Sequence, residues 1–245
     1  MRIGLLALAR DPLARLGELA ALADAVGYDD FWMADERFFR DVYVSLTHCA
    51  RHTRRMRLGP CVTDPYSRHP ALTAMAIGTL AEVCEGRVAL GLGAGISGFA
   101  ELGITRVKPA QAIREAVEVI RRLLAGDSVD YRGEVIGLAR TRLGFAPPAP
   151  AIPIYVASNG PLGQRVAGAV GDGAIMEGCA TPDEVRTFAH EVSRGAAAAG
   201  RDPARITLVA RLRTNGRAKA EMFSDERLDG RWDALLDGFV ARGVG

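Results

Sequence analysis

The chain has 245 residues, of which 49% are hydrophobic and 24% charged, with 31 basic and 29 acidic side chains and a formal net charge of +2. This composition is typical of a folded globular protein and excludes disorder over most of the chain. The small net charge argues against a general nucleic-acid binder, whose basic surface gives a large charge excess. No apolar run approaches the roughly 20 residues of a membrane span, and the first residues lack the features of a secretory signal peptide. We therefore expect a cytoplasmic protein without nucleic-acid or membrane partners.

In the first half of the chain, short apolar runs alternate with segments whose apolar residues recur at helical spacing. The first helix is typical, because Leu13, Leu16 and Ala20 share one face and Gly27 follows its end. Pro70 stands where a first helical turn begins. Strands are predicted at 2–8, 28–34, 57–63 and 88–92, and helices at 12–26, 42–51, 71–84 and 109–124.

The rhythm changes in the second half. Residues 129–145 have a pattern suited to a hairpin, which we interpret as an insertion around 128–150. The proline-rich segment 146–153 is a stiff connector, since proline fixes φ and removes backbone donors. Further strands are predicted at 154–157, 173–176 and 206–212, and helices at 163–170, from an N-cap at Thr181 to about Ala199, and at 231–241.

Seven strand–helix alternations with short loops favour a parallel sheet, and their order is that of an α/β protein with a TIM (β/α)8 barrel. Such barrels run to about 250 residues as one domain, so we expect a single domain over residues 1–245. A closed barrel needs an eighth strand, which would start about where the chain ends. The barrel is therefore expected to be open or shortened at its C-terminal end, unless the chain lacks its last segment.

Function in a parallel barrel lies at the C-terminal ends of the strands, where the connecting loops meet. This rule selects the polar and glycine-rich residues that follow each predicted strand. The candidates are Asp35 and Glu36 after the second strand, Cys61, Val62, Thr63 and Asp64 at the third, Gly93, Ala94 and Gly95 after the fourth, Ser158, Asn159, Gly160 and Pro161 after the fifth, and Glu177 and Gly178 after the sixth.

Each of these loops has a functional and a purely structural interpretation. The Gly-Ala-Gly segment lets the backbone approach a flat ligand, or it forms a tight turn. Residues 158–161 precede a helix, where free N–H groups and the helix dipole bind an anion, or where the chain has an ordinary N-cap. Asp35 and Glu36 tune a proton together, or one of them forms an ion pair with Arg37.

Histidine and cysteine give no catalytic or metal-binding pattern. His69 lies between an arginine and a proline and is better explained as a residue that holds a loop. His48 and His52 are four residues apart on a predicted helix but lack a third ligand, so no metal site is predicted. Cys61 is interpreted as a small buried residue, because no base lies next to it in the sequence. The cysteines have neither disulfide nor zinc spacing: Cys49, Cys61, Cys84 and Cys179.

Five segments carry a resemblance to a known family: YDDFWMADERFFRDVYVSLTHCA, LGPCVTDPYSRHPALTAMAIGTLAE, GRVALGLGAG, VKPAQAIREAVEVIRRLLAG and IPIYVASNGPLGQRVAGAVGDGAI. Together they resemble the luciferase-like flavin and deazaflavin oxidoreductases. Within that superfamily they are most similar to the branch that contains methylenetetrahydromethanopterin reductase, which uses coenzyme F420. The resemblance extends from Arg2 to about Thr214, and DPYSRHPA followed by GLGAG is its most specific part.

The resemblance implies a TIM barrel that binds coenzyme F420 or FMN at its C-terminal mouth. It implies a non-prolyl cis peptide between Cys61 and Val62 beneath the central ring of the cofactor, with Thr63 and Asp64 along the ring edge. Asp35 would lie near the pyrimidine part of the ring. The remaining implied positions are the other ring edge (Gly93, Ala94 and Gly95), the phosphate region (Ala157, Ser158, Asn159, Gly160 and Pro161) and its neighbours (Glu177 and Gly178).

The implied reaction is hydride transfer between C5 of the deazaflavin and a small organic substrate that the sequence does not identify. Asp35 or Glu36 would act as the catalytic residue that tunes or relays a proton. Two alternatives stay open: an FMN-dependent luciferase-like monooxygenase, and a shortened barrel that binds a flavin without catalysis. By family analogy we expect a homodimer, with the apolar faces of helices 42–51 and 71–84 as interface candidates.

Overall fold

The structure is a computed structural model that describes residues 2–148, 151–178 and 181–211. Several sequence-based predictions lie wholly or partly outside the described residues: residues 149–150 of the insertion and connector, Cys179, the last residue of the strand at 206–212, the shortened region after Asn215, and the helix at 231–241.

Strands and helices alternate through the described ranges. In the first half, strands β1 (Gly4–Leu8), β2 (Asp30–Ala34), β3 (Arg57–Pro60) and β4 (Leu90–Leu92) alternate with helices α1 (Leu13–Ala25), α2 (Val42–Ala50), α3 (Pro70–Val83) and α4 (Pro109–Leu124). The second half contains a hairpin of β5 (Val129–Arg132) and β6 (Gly137–Thr141), then β7 (Ile154–Ala157), α5 (Pro161–Val170), β8 (Gly173–Glu177), α6 (Pro182–Ala198), a 3-10 turn (Pro203–Arg205) and β9 (Thr207–Arg211).

In the part of the chain that the structure describes, the strands outside the hairpin run parallel and are neighbours in chain order. One run pairs β1 with β2 and β2 with β3, and a second pairs β4 with β7, β7 with β8 and β8 with β9. Isolated bridges from Leu58 to Val88 and from Thr63 to Leu92 join β3 to β4. The strands therefore follow one another as in a (β/α) barrel, and their C-terminal ends lie at one edge.

The third strand is shorter than predicted. β3 ends at Pro60, and the peptide between Cys61 and Val62 is cis, as the resemblance implies. Thr63 then pairs with β4: its N–H donates to the carbonyl of Gly91 at 3.0 Å, and its carbonyl accepts from Gly93 at 2.9 Å. The apolar letters continue through this bulge, so the pattern alone could not reveal where the strand ends.

A large cluster of buried apolar side chains joins the strands to the helices that cover them. Phe31 and Met33 of β2 and Leu16 of α1 belong to it and are almost completely shielded from solvent. Complete burial of such a side chain stabilises the fold by about 1.5–3 kcal/mol. The close approach of β3 to β4 requires glycine at position 59, because a Cβ there would lie 1.8 Å from the carbonyl oxygen of Ala89.

A buried carboxylate ties the end of α1 to the start of β3. Asp24 accepts hydrogen bonds from the backbone N–H groups of Arg54, Arg55 and Met56 at 3.0, 3.1 and 2.9 Å. Burial alone would raise the pKa of Asp24, but the three N–H donors outweigh burial and lower the pKa below its usual value. An acid in the apolar face of a helix gave no signal of this role in the sequence.

Polar side chains of the barrel contact the hairpin, among them Glu115 and His69. Glu115 of α4 accepts from the backbone N–H groups of residues 134–136 at 2.7, 2.9 and 2.7 Å, and from the Gln111 amide at 2.8 Å. His69 caps α3 by accepting from the N–H of Ala71, and its Nε2 lies 3.0 Å from the carbonyl oxygen of Gly137. The interpretation of His69 as a residue that holds a loop is confirmed.

His48 and His52 also make structural contacts. The rings of His48 and His52 lie 4.9 Å apart and occupy the space that a side chain at Gly17 would need. In the described residues no group of three or more His, Cys, Asp or Glu side chains is arranged to hold a metal ion.

None of the helices in the described ranges is long and apolar enough to span a bilayer. Thr181 caps α6 as predicted, in a reciprocal capping box with Glu184.

Candidate active site

A cavity of about 650 Å³ opens at the C-terminal ends of the strands. Its walls come from the segments that follow β2, β3, β4, β7 and β8, which are far apart in sequence. The barrel topology brings these segments together, because parallel strands deliver their C-terminal ends to the same edge. The predicted site residues that line the cavity are Asp35, Glu36, Cys61, Val62, Gly93, Ala94, Gly95, Ala157, Ser158, Asn159, Gly160, Pro161 and Glu177.

Three predicted site residues are not among those that line the cavity. Thr63 and Asp64 are 0% exposed and lie behind its wall. The Thr63 hydroxyl donates to Oδ2 of Asp35 at 2.7 Å, so Thr63 acts on the cavity through another residue. Gly178 follows Glu177 directly at the end of β8 and has a φ of 73°.

The cis peptide between Cys61 and Val62 lies in the cavity wall beside the end of β4. Glycine at position 93 allows Val62 to approach the end of β4, because a Cβ there would lie 2.6 Å from Cγ2 of Val62. Burial raises the pKa of the Cys61 thiol to about 12, with the charge of Glu177 adding to the rise. The thiol is therefore protonated at neutral pH and a poor nucleophile, which supports the interpretation of Cys61 as a small buried residue.

Asp35 and Glu36 bring carboxylates to the cavity from the end of β2. The sequence left open an ion pair between Arg37 and one of these carboxylates, but in the structure Arg37 pairs with a different acid. Arg37 donates to the backbone carbonyl of Asp35 at 2.9 Å, and its guanidinium pairs with the carboxylate of Asp64. The carboxylate of Asp35 is instead held by the Thr63 hydroxyl.

The N-terminus of α5 forms another part of the cavity wall. Gly160 is its N-cap and offers no side chain to accept from the first turn, and Pro161 follows at the first helical position. An uncapped first turn presents backbone N–H groups and the positive end of the helix dipole to a ligand. Gly163 is tightly enclosed, since a Cβ there would lie 2.0 Å from Oγ of Ser158. These features favour the anion-site interpretation over an ordinary capped helix.

Sequence reasoning missed cavity residues that carry charge or apolar surface. Arg106 donates to the carbonyl of Gly95 at 2.6 Å, and Arg211 lies 4.0 Å from Glu177. The strand-end rule applied to β9 would have found Arg211, whereas the loop position of Arg106 carries no motif. Part of the apolar wall comes from the first two turns of α4 and α5, at Ala110, Ile113, Leu162 and Val166.

A family profile described as luciferase-like monooxygenase matches residues 1–234. A match over nearly the whole chain, on a barrel with its cavity at the strand ends, shows that the chain belongs to this luciferase-like family. The family resemblance predicted from the sequence is confirmed.

Individual relatives agree with this assignment. The 5,10-methylenetetrahydromethanopterin reductase of Archaeoglobus fulgidus is 42% identical over 181 residues, which cover 74% of this chain and 54% of the relative. The chain thus spans about half the length of that relative. Among solved structures, the coenzyme F420-dependent tetrahydromethanopterin reductase from Methanopyrus kandleri superposes with a TM-score of 0.76 and 28% identity, covering 85% of this chain and 65% of that one. An F420-dependent secondary alcohol dehydrogenase in complex with an F420–acetone adduct gives 0.78 and 25%, covering 85% and 68%. These likenesses confirm the predicted fold class, a TIM barrel of the luciferase-like type.

Proposed function

We propose that the chain is an F420-dependent oxidoreductase that transfers a hydride between the deazaflavin and a small organic substrate. The observation that carries this proposal is the composition of one cavity, which combines the glycine-containing wall at Gly93 and Gly95, the Asp35 carboxylate and the uncapped start of α5. Relatives on the same fold are named as F420-dependent enzymes. The chain spans part of their length, so the activity is a proposal for this chain.

The cavity fits a flat, singly phosphorylated cofactor. Its volume of about 650 Å³ lies within the range of small-molecule sites, roughly 300–1,000 Å³. Gly93 removes a Cβ from the wall beside Val62, which leaves a flat surface for a ring system. The first turn of α5, from Gly160 to Gly163, offers N–H donors to a phosphate. Bound here, a deazaflavin would supply the hydride-carrying carbon.

The roles of the chain's own groups follow from their positions. The ring is oriented against a surface formed by Cys61, Val62, Gly93, Ala94 and Gly95, with Thr63 and Asp64 behind it. The phosphate is held by Ala157, Ser158, Asn159, Gly160 and Pro161, beside Glu177 and Gly178. The apolar first turns of α4 and α5 exclude water from the reacting face. Asp35, oriented by Thr63, and Glu36, which lines the cavity, are the groups that hold or relay a proton.

The second candidate function is an FMN-dependent monooxygenase, which the description of the matching family favours. A third candidate is a barrel that binds a flavin without turnover. A monooxygenase structure in complex with FMN shares only the fold with this chain, at 20% identity, so the F420 proposal has the stronger support.

Titration of the purified chain with F420 and with FMN, followed by cofactor fluorescence, tests the proposal. We expect micromolar affinity for F420 and much weaker binding of FMN. A preference for FMN contradicts the proposal, and oxygen consumption with reduced FMN then separates a monooxygenase from a silent flavin carrier. Absence of binding by either cofactor contradicts all three functions.

The chain is also proposed to form a cytoplasmic homodimer of single-domain subunits. Helices α2 and α3 expose apolar side chains at Val44, Leu72 and Met75, whose exposed fractions are 61%, 50% and 46%. Adjacent exposed apolar residues are typical of an interface between copies. Light scattering after size-exclusion chromatography is expected to give the dimer mass, and a monomer at all concentrations would contradict this part of the proposal.

A further inference from the structure

Arg37 contacts three of the loops that form the cavity. It lies on the loop after β2, its side chain is 10% exposed, and Nη1 donates to the carbonyl oxygen of Asp35 at 2.9 Å. On the loop after β3, its guanidinium pairs with Asp64, and Nη2 donates to Oγ of Ser67 at 2.8 Å. On the loop after β4, the ring of Phe99 lies 4.9 Å from the guanidinium carbon. One side chain thus links the ends of three neighbouring strands.

Asp64 is the carboxylate that forms the ion pair with Arg37. Its side chain is buried, and it accepts from the backbone N–H groups of Tyr66 and Ser67 at 2.8 and 2.9 Å and from the Ser67 hydroxyl at 2.8 Å. The loop after β3 is therefore folded around this carboxylate. A buried carboxylate without a cation is strongly unfavourable, so the charge of Arg37 stabilises this loop conformation as well as the contact.

The loop after β4 is shaped to accommodate the Arg37 side chain. Gly98 has a φ of 69°, and a Cβ there would lie 2.6 Å from Cβ of Arg37 and 2.8 Å from its Cγ. A residue other than glycine would meet both the backbone strain and the collision. Phe99 follows directly, and its ring packs edge-on against Tyr66 of the loop after β3 at 5.9 Å. Gly98 thus leaves room for the aliphatic part of Arg37, and Phe99 supplies the ring that faces its guanidinium.

The contacts of Arg37 and of Thr63 complement each other around Asp35. Thr63 holds the Asp35 carboxylate at 2.7 Å, while Arg37 holds the Asp35 backbone carbonyl at 2.9 Å. Thr63 and Asp64 are consecutive, so both contacts tie Asp35 to the segment that begins with the cis peptide between Cys61 and Val62.

We propose that Arg37 is a positioning residue of the cofactor site, whose guanidinium holds Asp35 and the Cys61–Val62 wall in their binding arrangement before the ligand arrives. This inference rests on the proposed function and deepens it. Preorganisation of this kind raises affinity, because the ordering cost is met during folding and not during binding. Lysine retains the charge but has neither the planar fork nor its fixed donor geometry, so it should replace Arg37 only in part.

The first experiment measures the loops without any cofactor. Hydrogen–deuterium exchange is compared for the unaltered chain, Arg37→Gln, Arg37→Lys and the control Arg15→Gln, which removes a partly exposed arginine paired with Glu18 on α1. In Arg37→Gln we expect exchange about tenfold faster at residues 35–39, 64–68 and 96–99, an intermediate effect in Arg37→Lys, and none in the control. Unchanged exchange in these three loops, or equal acceleration throughout the chain, would overturn the proposal.

The second experiment measures the dissociation constant of F420 for the same variants. We expect Arg37→Gln to weaken binding about tenfold or more, with partial rescue in Arg37→Lys and no change in Arg15→Gln. Ser67→Ala removes one hydroxyl between Arg37 and Asp64, so it provides a milder variant if Arg37→Gln does not fold, and it should weaken binding about two- to threefold. If the unaltered chain binds F420 and these variants bind it equally well, the positioning role is wrong and the proposed function stands. If the unaltered chain does not bind F420, the proposed function fails, and the exchange experiment alone decides whether Arg37 organises the loops.

Discussion

Replacement of Glu115 by glutamine tests how the hairpin β5–β6 is held on the barrel. The Glu115 side chain accepts four hydrogen bonds, three of them from the consecutive backbone N–H groups of residues 134–136, and is almost completely shielded from solvent. Glutamine has nearly the same shape but only one acceptor oxygen. Its NH2 group would face backbone donors, so two of the N–H groups would lose their acceptor.

The size of the effect follows from these contacts. A hydrogen bond to a charged group contributes about 1.5–3 kcal/mol, and an unsatisfied buried donor costs about 1–3 kcal/mol. Partial relaxation of a surface hairpin reduces the sum, so we expect Glu115→Gln to lower the free energy of unfolding by about 2–4 kcal/mol. For a domain of this size that corresponds to a decrease in Tm of roughly 4–16 °C.

The pH dependence of the effect is a second signature of the same contact. Burial alone would raise the pKa of Glu115, but the Gln111 amide and the three backbone donors lower it below its usual 4.5. A lowered pKa in the folded state means that the stabilisation is present above pH 4.5 and is lost as the pH falls through the folded-state value. The difference between the unaltered chain and Glu115→Gln should therefore be constant near neutrality and shrink in acid.

Urea denaturation followed by circular dichroism at several pH values measures both quantities. Glu118→Gln on the same helix is the matched control, since that carboxylate is half exposed and contacts Tyr131 and Arg122 at the surface. Surface contacts of this kind contribute about 0.5 kcal/mol, so the control should change little. A loss below about 0.5 kcal/mol for Glu115→Gln, or an undiminished difference at low pH, would refute the reasoning.

Two further predictions concern the strands and the cavity wall. Gly59→Ala should abolish soluble expression or lower Tm by more than about 10 °C, because the new Cβ meets the main chain of Ala89 at 1.8 Å. The control Gly137→Ala has open space around it and should behave like the unaltered chain. Equal thermal stability of the two variants would contradict the β3–β4 contact. Cys61 should resist alkylation by iodoacetamide at neutral pH in intact-mass measurements, because burial raises its thiol pKa to about 12; rapid modification of the folded chain at Cys61 would mean that the thiol is exposed and ionised.

The barrel and the position of its cavity could be predicted from the sequence because both depend on local patterns. Apolar runs, helical spacing and the proline at the start of α3 are readable within a few residues of one another. The order of the elements then places loops from distant segments at one mouth. The resemblance added the cis peptide at Cys61 and Val62, which no local pattern indicates.

The missed features are those that depend on contacts between distant residues. The sequence placed Arg37 beside two acids, but its partner is Asp64, which the fold brings to it from the next loop. Glu115 resembles any charged residue of an amphipathic helix until the hairpin supplies its backbone donors. Arg106 reaches the cavity from a long loop without regular structure. Propensity and periodicity carry no information about such pairings.

The central claim is that the start of α5 holds the phosphate of a deazaflavin in this cavity. The most direct measurement is the affinity of the unaltered chain and of Gly160→Asp for F420 and for the deazaflavin fragment that lacks the phosphate. An aspartate at the N-cap would place a negative charge at the anion site and occupy its N–H groups, and the space around Gly160 admits a side chain. We predict that Gly160→Asp weakens F420 binding at least about tenfold and leaves the affinity for the fragment unchanged. Equal F420 affinity in the two chains would contradict the account, because the phosphate would then have to bind elsewhere.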